Sequence, residues 1–181
     1  VARRLVSGHA GISTKAMKTG RLQESDWPLF TAAVDHFASL PVYMSDASDW
    51  TTASLHADLA RVKAQHGIKW LVLDYLFLLK DAGKDEIERT AQISAGLKRI
   101  CRSLDLAGIV VHSMNKAGIS ANGTKGAEAG NGIPGQDQLR GSGQVIYDAD
   151  VITFLTQYTA EAGPIQKEDQ KNVRVLWFSK G

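Results

Sequence analysis

Apolar positions along this chain switch between two spacings. VARRLVSGHAG reads as a helix already under way at its first residue, with nothing before it to cap the first turn. A polar stretch follows around Ser13 to Glu24. Ser25 or Asp26 can then cap a helix carrying Trp27, Leu29, Phe30, Ala33, Val34 and Phe37, and Pro28 suits its first turn, where no N–H is needed. Pro41 opens a short strand, VYM. Ser54 to Gln65 is helical, with Leu55, Leu59 and Val62 on one face, and Gly67 breaks it. IKWLVLDYLFLL is apolar almost throughout, the pattern of a strand covered on both faces.

Beyond a polar turn at Lys80 to Lys84, helical spacing returns, with Ile87, Ala91, Leu97, Ile100, Cys101 and Leu104 on the buried side. LAGIVVHSM is a second covered strand. The stretch from Ala117 to Asp137 is rich in Gly, Asn and Lys, lacks any period, and is expected to be a mobile loop. DVITFLTQY and NVRVLWFSK are two more strands, around a polar turn with Gly163 and Pro164. Strands alternating with helices predict an α/β fold, a mostly parallel sheet flanked by helices. There is no repeat and no linker, so residues 1–181 read as one partial domain. The uncapped opening helix and the abrupt final strand suggest a fold cut at both ends.

Composition adds few constraints. The 181 residues are 44% apolar and 22% charged, ordinary for a globular protein. No apolar run reaches the ~20 residues of a membrane span, and no signal segment opens the chain. Cys101 is the single cysteine, so neither an intrachain disulfide nor a cysteine metal cage can form. A cytoplasmic setting fits. A net charge of +2 announces no nucleic-acid binder, so any such surface must be local.

Three segments carry candidate chemistry. Asp74, in WLVLDY, is a carboxylate at the carboxyl end of a covered strand, where α/β sheets bind ligands and nucleotide hydrolases hold Mg²⁺. An Asp that ends a strand and caps the next turn reads equally well. His112 and Ser113 stand at the end of another strand, where either could reach a terminal phosphate, and Asn115 and Lys116 lead into the following loop. A structural histidine is the plainer reading. In LRGSGQVIYDADVITFL, Gly141 and Gly143 permit close backbone approach to an anion, and Arg140 supplies a planar fork suited to phosphate. That is a place for a nucleic-acid backbone to lie. The alternative is a tight turn capped by Asp148, with Asp150 ending the next element. Lys116 and Lys125 make the preceding loop a candidate DNA contact.

Taken in order, these segments resemble the motor domain of DnaB-type replicative DNA helicases and the related phage primase-helicases. RRLVSGHAGI resembles the helix after that family's Ser-Leu-Glu-Met segment. GRLQESDWPLFTAAV resembles its Gly-x-Leu stretch with a following Asp-Trp, and PVYMSDAS its next strand. WLVLDYLFLL resembles the Walker B strand, with Phe77 where Gln is usual. HSMNK resembles Ser-Gln-Leu-Asn-Arg, and LRGSGQVIYDADVI is the most specific match.

The resemblance implies a RecA-like P-loop NTPase fold, ATP and Mg²⁺ as cofactors, and a homo-hexamer that unwinds DNA by translocating on single-stranded DNA. A primase and a helicase loader are possible partners. Asp74 takes the Mg²⁺ role. Arg140, Gly141 and Gly143 take the role of gripping strand phosphates. The usual sensor Gln falls on Ser113. A one-residue slide puts His112 there, as in the phage relatives, and its imidazole has the better reach. Lys180 resembles the lysine that reaches a neighbouring subunit's nucleotide. The pattern also departs from the family. No G-x-x-x-x-G-K-[ST] occurs. The catalytic Glu is expected before Val1, the arginine finger after Gly181, and the P-loop strand between the strands that end at His112 and begin near Asp150. Residues 1–181 by themselves are therefore expected to be inactive. A recombinase of the RecA or RadA kind and a truncated, non-catalytic DNA-binding or assembly module are the alternatives.

Overall fold

The computed structural model describes residues 1–113, 139, 143–157 and 174–180. The chain divides into two compact units, Val1–Asp46 and Ala47–Gly181.

The first unit holds α1 (Ala2–Ala10), α2 (Thr14–Thr19) and α3 (Asp26–Ser39). α1 stops at Gly11, whose φ of 67° is the left-handed conformation that closes many helices. The buried Ser7 hydroxyl donates to the Ile12 carbonyl at 2.5 Å and lies 2.8 Å from Thr14 Oγ1. The turn between α1 and α2 is thus satisfied internally. α2 falls where only a polar stretch is expected; its signal is Ser13, whose hydroxyl caps the Ala16 N–H. At the start of α3 the Ser25 side chain makes no cap bond, and the Asp26 carboxylate accepts from the Gln23 N–H at 2.9 Å. Ala33 is buried, whereas Trp27, Leu29 and Val34 remain exposed. α1 packs on α3 through a stacked His9–His36 pair, 4.5 Å between ring centroids, with Phe37 edge-on to both. Val42, Tyr43 and Met44 form no strand: all three are exposed, and β propensity without a covered face does not make one.

The second unit opens with α4 (Thr52–His66), started by a reciprocal Thr51–Ser54 capping box and ended by Gly67 at φ 64°. β1 (Trp70–Leu73), α5 (Glu86–Ser103) and β2 (Ala107–Val110) form a parallel crossover unit, with Trp70 opposite Ala107 and Leu73 opposite Val110. Asp85 caps α5 by accepting from the Glu88 N–H at 2.8 Å. Leu55 and Leu59 of α4, Ile93, Leu97 and Ile100 of α5, and Leu71 of β1 make the core, joined by Leu76, Leu79 and Leu106. α5 sits close to its neighbours. A Cβ at Gly96 would lie 2.7 Å from Thr52 Cγ2, and one at Gly108 would lie 2.7 Å from the Cys101 sulfur.

Several expectations change here. The apolar run after Lys69 is not one long strand. β1 ends at Leu73, and Leu76–Leu78 form a single 3-10 turn. Leu76 and Leu79 turn into the core instead of extending the sheet, a distinction that an unbroken apolar run cannot make. Nor is β1 covered on both faces: Trp70 and Val72 are each 64% exposed, because α5 and α4 pack on the Leu71 side. Ile87, expected on the buried side of α5, is 63% exposed. α6 (Gln144–Asp148) is a short helix where a turn was the alternative. β3 (Ile152–Gln157) and β4 (Arg174–Lys180) pair antiparallel, with a register shift between Ile152 and Thr153. Among the described residues the sheet is thus two ladders, one parallel and one antiparallel.

Candidate functional site

Parallel pairing of β1 with β2 fixes which residues meet at the carboxyl edge. Leu73 faces Val110, so Asp74 and His112 follow at the same end of neighbouring strands. The backbone stays joined past the ladder. The Val111 N–H donates to the Leu73 carbonyl and the Leu76 N–H donates to the Val111 carbonyl, both at 2.9 Å. These bonds clamp the Asp74 turn between β1 and the segment leading to His112. The Asp74–Tyr75 peptide is cis. Asp74 is exposed, and among the described residues its carboxylate has no hydrogen bond or ion pair. His112 is half-buried. Its Nδ1 lies 2.7 Å from the Ser113 carbonyl, and its ring sits 5.3 Å from that of Phe77. Phe77 therefore packs against His112. The Ser113 side chain is half-buried beside it.

Mg²⁺ commonly uses one or two protein carboxylates and fills its octahedron with water and substrate phosphates. An exposed, unpartnered Asp74 at the strand edge fits that pattern. No group of three or more His, Cys, Asp or Glu side chains that could hold a metal alone occurs among the described residues, so a metal here would depend on substrate oxygens.

The turn after this edge is itself braced. Asp81 accepts from the Thr52 N–H at 2.9 and 3.2 Å and from the Thr52 hydroxyl at 2.5 Å, tying it to the start of α4. The Lys80 ammonium donates to Asp49 at 2.5 Å and holds that exposed carboxyl below its ordinary pKa. On α5, burial pushes the Cys101 thiol up.

Arg140, Gly141, Asn115 and Lys116 lie outside the described residues, as does the loop expected from Ala117 to Asp137. Gly143 is described and stands immediately before α6. Lys180 pairs through its backbone with Ile152 at the bulged start of the β3–β4 ladder. The acidic pair in the same motif has a clear structural use. Asp148 accepts from the Ser94 hydroxyl at 2.6 Å and from the Gln144 amide at 3.0 Å. Asp150 takes the Lys98 ammonium on both oxygens at 2.6 Å. Ser94 and Lys98 were invisible to sequence reasoning, since their partners lie more than fifty positions away and neither residue belongs to a motif.

The chain is similar to known proteins along most of its length. The replicative DNA helicase DnaC of Bacillus subtilis (strain 168) is 26% identical over 155 residues, covering 84% of this chain and 32% of that protein. The replicative DNA helicase DnaB of Treponema pallidum (strain Nichols) is 30% identical, covering 84% and 33%. The chain thus spans about a third of the length of these curated relatives. A solved DnaB-like replicative helicase, described with its interactions with primase, superimposes with a TM-score of 0.80 at 22% identity, over 99% of this chain and 42% of that one. A second structure, an ATPase domain, gives the same TM-score at 23% identity, over 99% and 61%. These likenesses establish the fold as the RecA-like arrangement of helicase ATPase domains. A family model for the DnaB-like helicase C-terminal domain matches residues 1–177, and the chain belongs to that family.

Proposed function

We propose that this chain is part of the motor of a replicative DNA helicase, in which ATP hydrolysis drives translocation on single-stranded DNA and duplex unwinding. The observation that carries the reading is the shared carboxyl edge, where parallel pairing sets Asp74 beside the segment ending in His112. In this reading Asp74 would hold Mg²⁺, directly or through water and together with substrate oxygens, and His112 or Ser113 would respond to the terminal phosphate of ATP. The metal would neutralise charge on the phosphates. Lys180 would serve a nucleotide held by a neighbouring subunit of a homo-hexamer. Arg140, Gly141 and Gly143, with Asn115 and Lys116 before them, would grip phosphates of the DNA strand. A cytoplasmic location, a primase partner and a loader belong to the same proposal. No helix among the described residues is long and apolar enough to cross a membrane.

DNA binding tests the strand grip. In the complete gene product, Arg140→Ala should weaken binding of single-stranded DNA about equally for all sequences, because phosphate contacts carry no base information. The slope of log affinity against log salt should fall by about 0.7 for one lost contact. An unchanged slope with altered base preference would replace the phosphate grip with base readout.

A further inference from the structure

We infer that Ser94 and Lys98 are positioning residues for strand binding: by holding Asp148 and Asp150 they fix α6, and with it Gly143, on α5. The inference rests on reading Arg140, Gly141 and Gly143 as the phosphate grip, and adds residues that no motif contains.

α6 has five residues, too few for a helix to persist by its own hydrogen bonds. Its place must come from what it packs on, and that is α5. Two long-range polar ties join them. Ser94 and Lys98 are four residues apart, one turn of the same α5 face. Asp148 and Asp150 flank Ala149 at the junction of α6 and β3. One tie alone would let the short helix pivot, whereas two ties a turn apart oppose rotation as well as separation. The supporting element is firm. Ile93, Leu97 and Ile100 of α5 are in the core, and Gly96 lies against Thr52 without room for a methyl group. Ser94 is itself buried, so the Asp148 tie is sheltered from competing water.

Charge gives the ties a second role. Asp148 and Asp150 follow the proposed phosphate grip within ten residues of sequence. Bare carboxylates there would repel a phosphodiester. Lys98 puts a cation on Asp150, and the Ser94 hydroxyl donates a hydrogen bond to Asp148. The same two α5 residues therefore locate α6 and offset the negative charge that follows the grip in sequence.

Fluorescence anisotropy with labelled oligo-dT, over a series of KCl concentrations, tests this in the complete gene product. Ser94→Ala and Lys98→Met should each raise Kd about 3–10-fold, because apparent affinity scales with the fraction of molecules in the competent arrangement. Their salt slopes should match wild type, since neither removes a phosphate contact. Lys98→Arg, which keeps the cation, should bind like wild type. Arg140→Ala is the control and should lower the slope by about 0.7. A slope lowered equally by Lys98→Met would make Lys98 a direct phosphate contact and overturn the inference. So would wild-type binding by both α5 variants while Arg140→Ala binds weakly, an outcome that leaves the strand-grip reading standing. Wild-type binding by Arg140→Ala would remove that reading, and the positioning role with it.

Discussion

Gly96 is where the packing of α5 can be tested most sharply. An alanine there brings two opposed effects. Helix propensity favours alanine over glycine by about 0.8–1.0 kcal/mol inside a helix. Against this, the new Cβ would lie 2.7 Å from Thr52 Cγ2, 3.0 Å from Thr52 Cβ and 3.2 Å from Thr52 Oγ1. Thr52 cannot simply swing away: it is branched at Cβ, and its hydroxyl donates to Asp81 at 2.5 Å. Overpacking of this kind costs about 1–3 kcal/mol. The overlap should win, and Gly96→Ala should lose about 1 kcal/mol in urea unfolding. Thr52→Ser removes the Cγ2 methyl, the nearest clash, while keeping the hydroxyl on Asp81. In that background Gly96→Ala should be much less costly, giving a double-mutant coupling of about 1 kcal/mol. Stabilisation by Gly96→Ala alone, or additivity within about 0.3 kcal/mol, would refute the close α4–α5 contact.

Two further outcomes follow from the same unit. Asp81→Ala should lower the urea midpoint, with a loss of about 1.5–3 kcal/mol for hydrogen bonds to a charged acceptor; an unchanged midpoint would mean the Asp81 tie is replaced by water at no cost. Burial pushes the Cys101 thiol up, so at a given pH it is less ionised than an ordinary thiol. Iodoacetamide should therefore alkylate the native chain more slowly than the urea-unfolded chain at pH 8–9, where an ordinary thiol of pKa about 8.5 is substantially ionised; equal rates would contradict the burial.

Much of the architecture was legible because it rests on local signals. Gly67 marks the end of α4, and Leu55 and Leu59 its buried face, although the helix begins at Thr52, two residues before the expected start, on a Thr51–Ser54 capping box that was missed. The strand positions of Leu71 and Ile109 follow from apolar runs. What failed was reading those runs as continuous strands. Leu76 and Leu79 are as apolar as Leu71, yet they fill the core from a turn. Hydrophobicity reports burial and does not distinguish a strand from a buried turn. Ile87 failed in the opposite direction, since helical spacing placed it on a face that the fold leaves open. At the site, Asp74 and His112 were legible as residues at strand ends, but their adjacency depends on the β1–β2 register. Ser94 and Lys98 could not be found at all. Their roles exist only through Asp148 and Asp150, and no local pattern encodes a contact across that separation.

We propose that the Asp74 edge is the metal-holding side of an ATP site coupled to DNA. This is tested most directly by ATP turnover of the complete gene product, with and without single-stranded DNA, for wild type and Asp74→Asn. The substitution keeps the size of the side chain and removes its charge. Wild type should show DNA-stimulated turnover and the variant a loss of about 10–100-fold, the scale seen when a residue supporting a metal site is removed, partly recovered at high Mg²⁺. Turnover by Asp74→Asn equal to wild type at every Mg²⁺ concentration would contradict it.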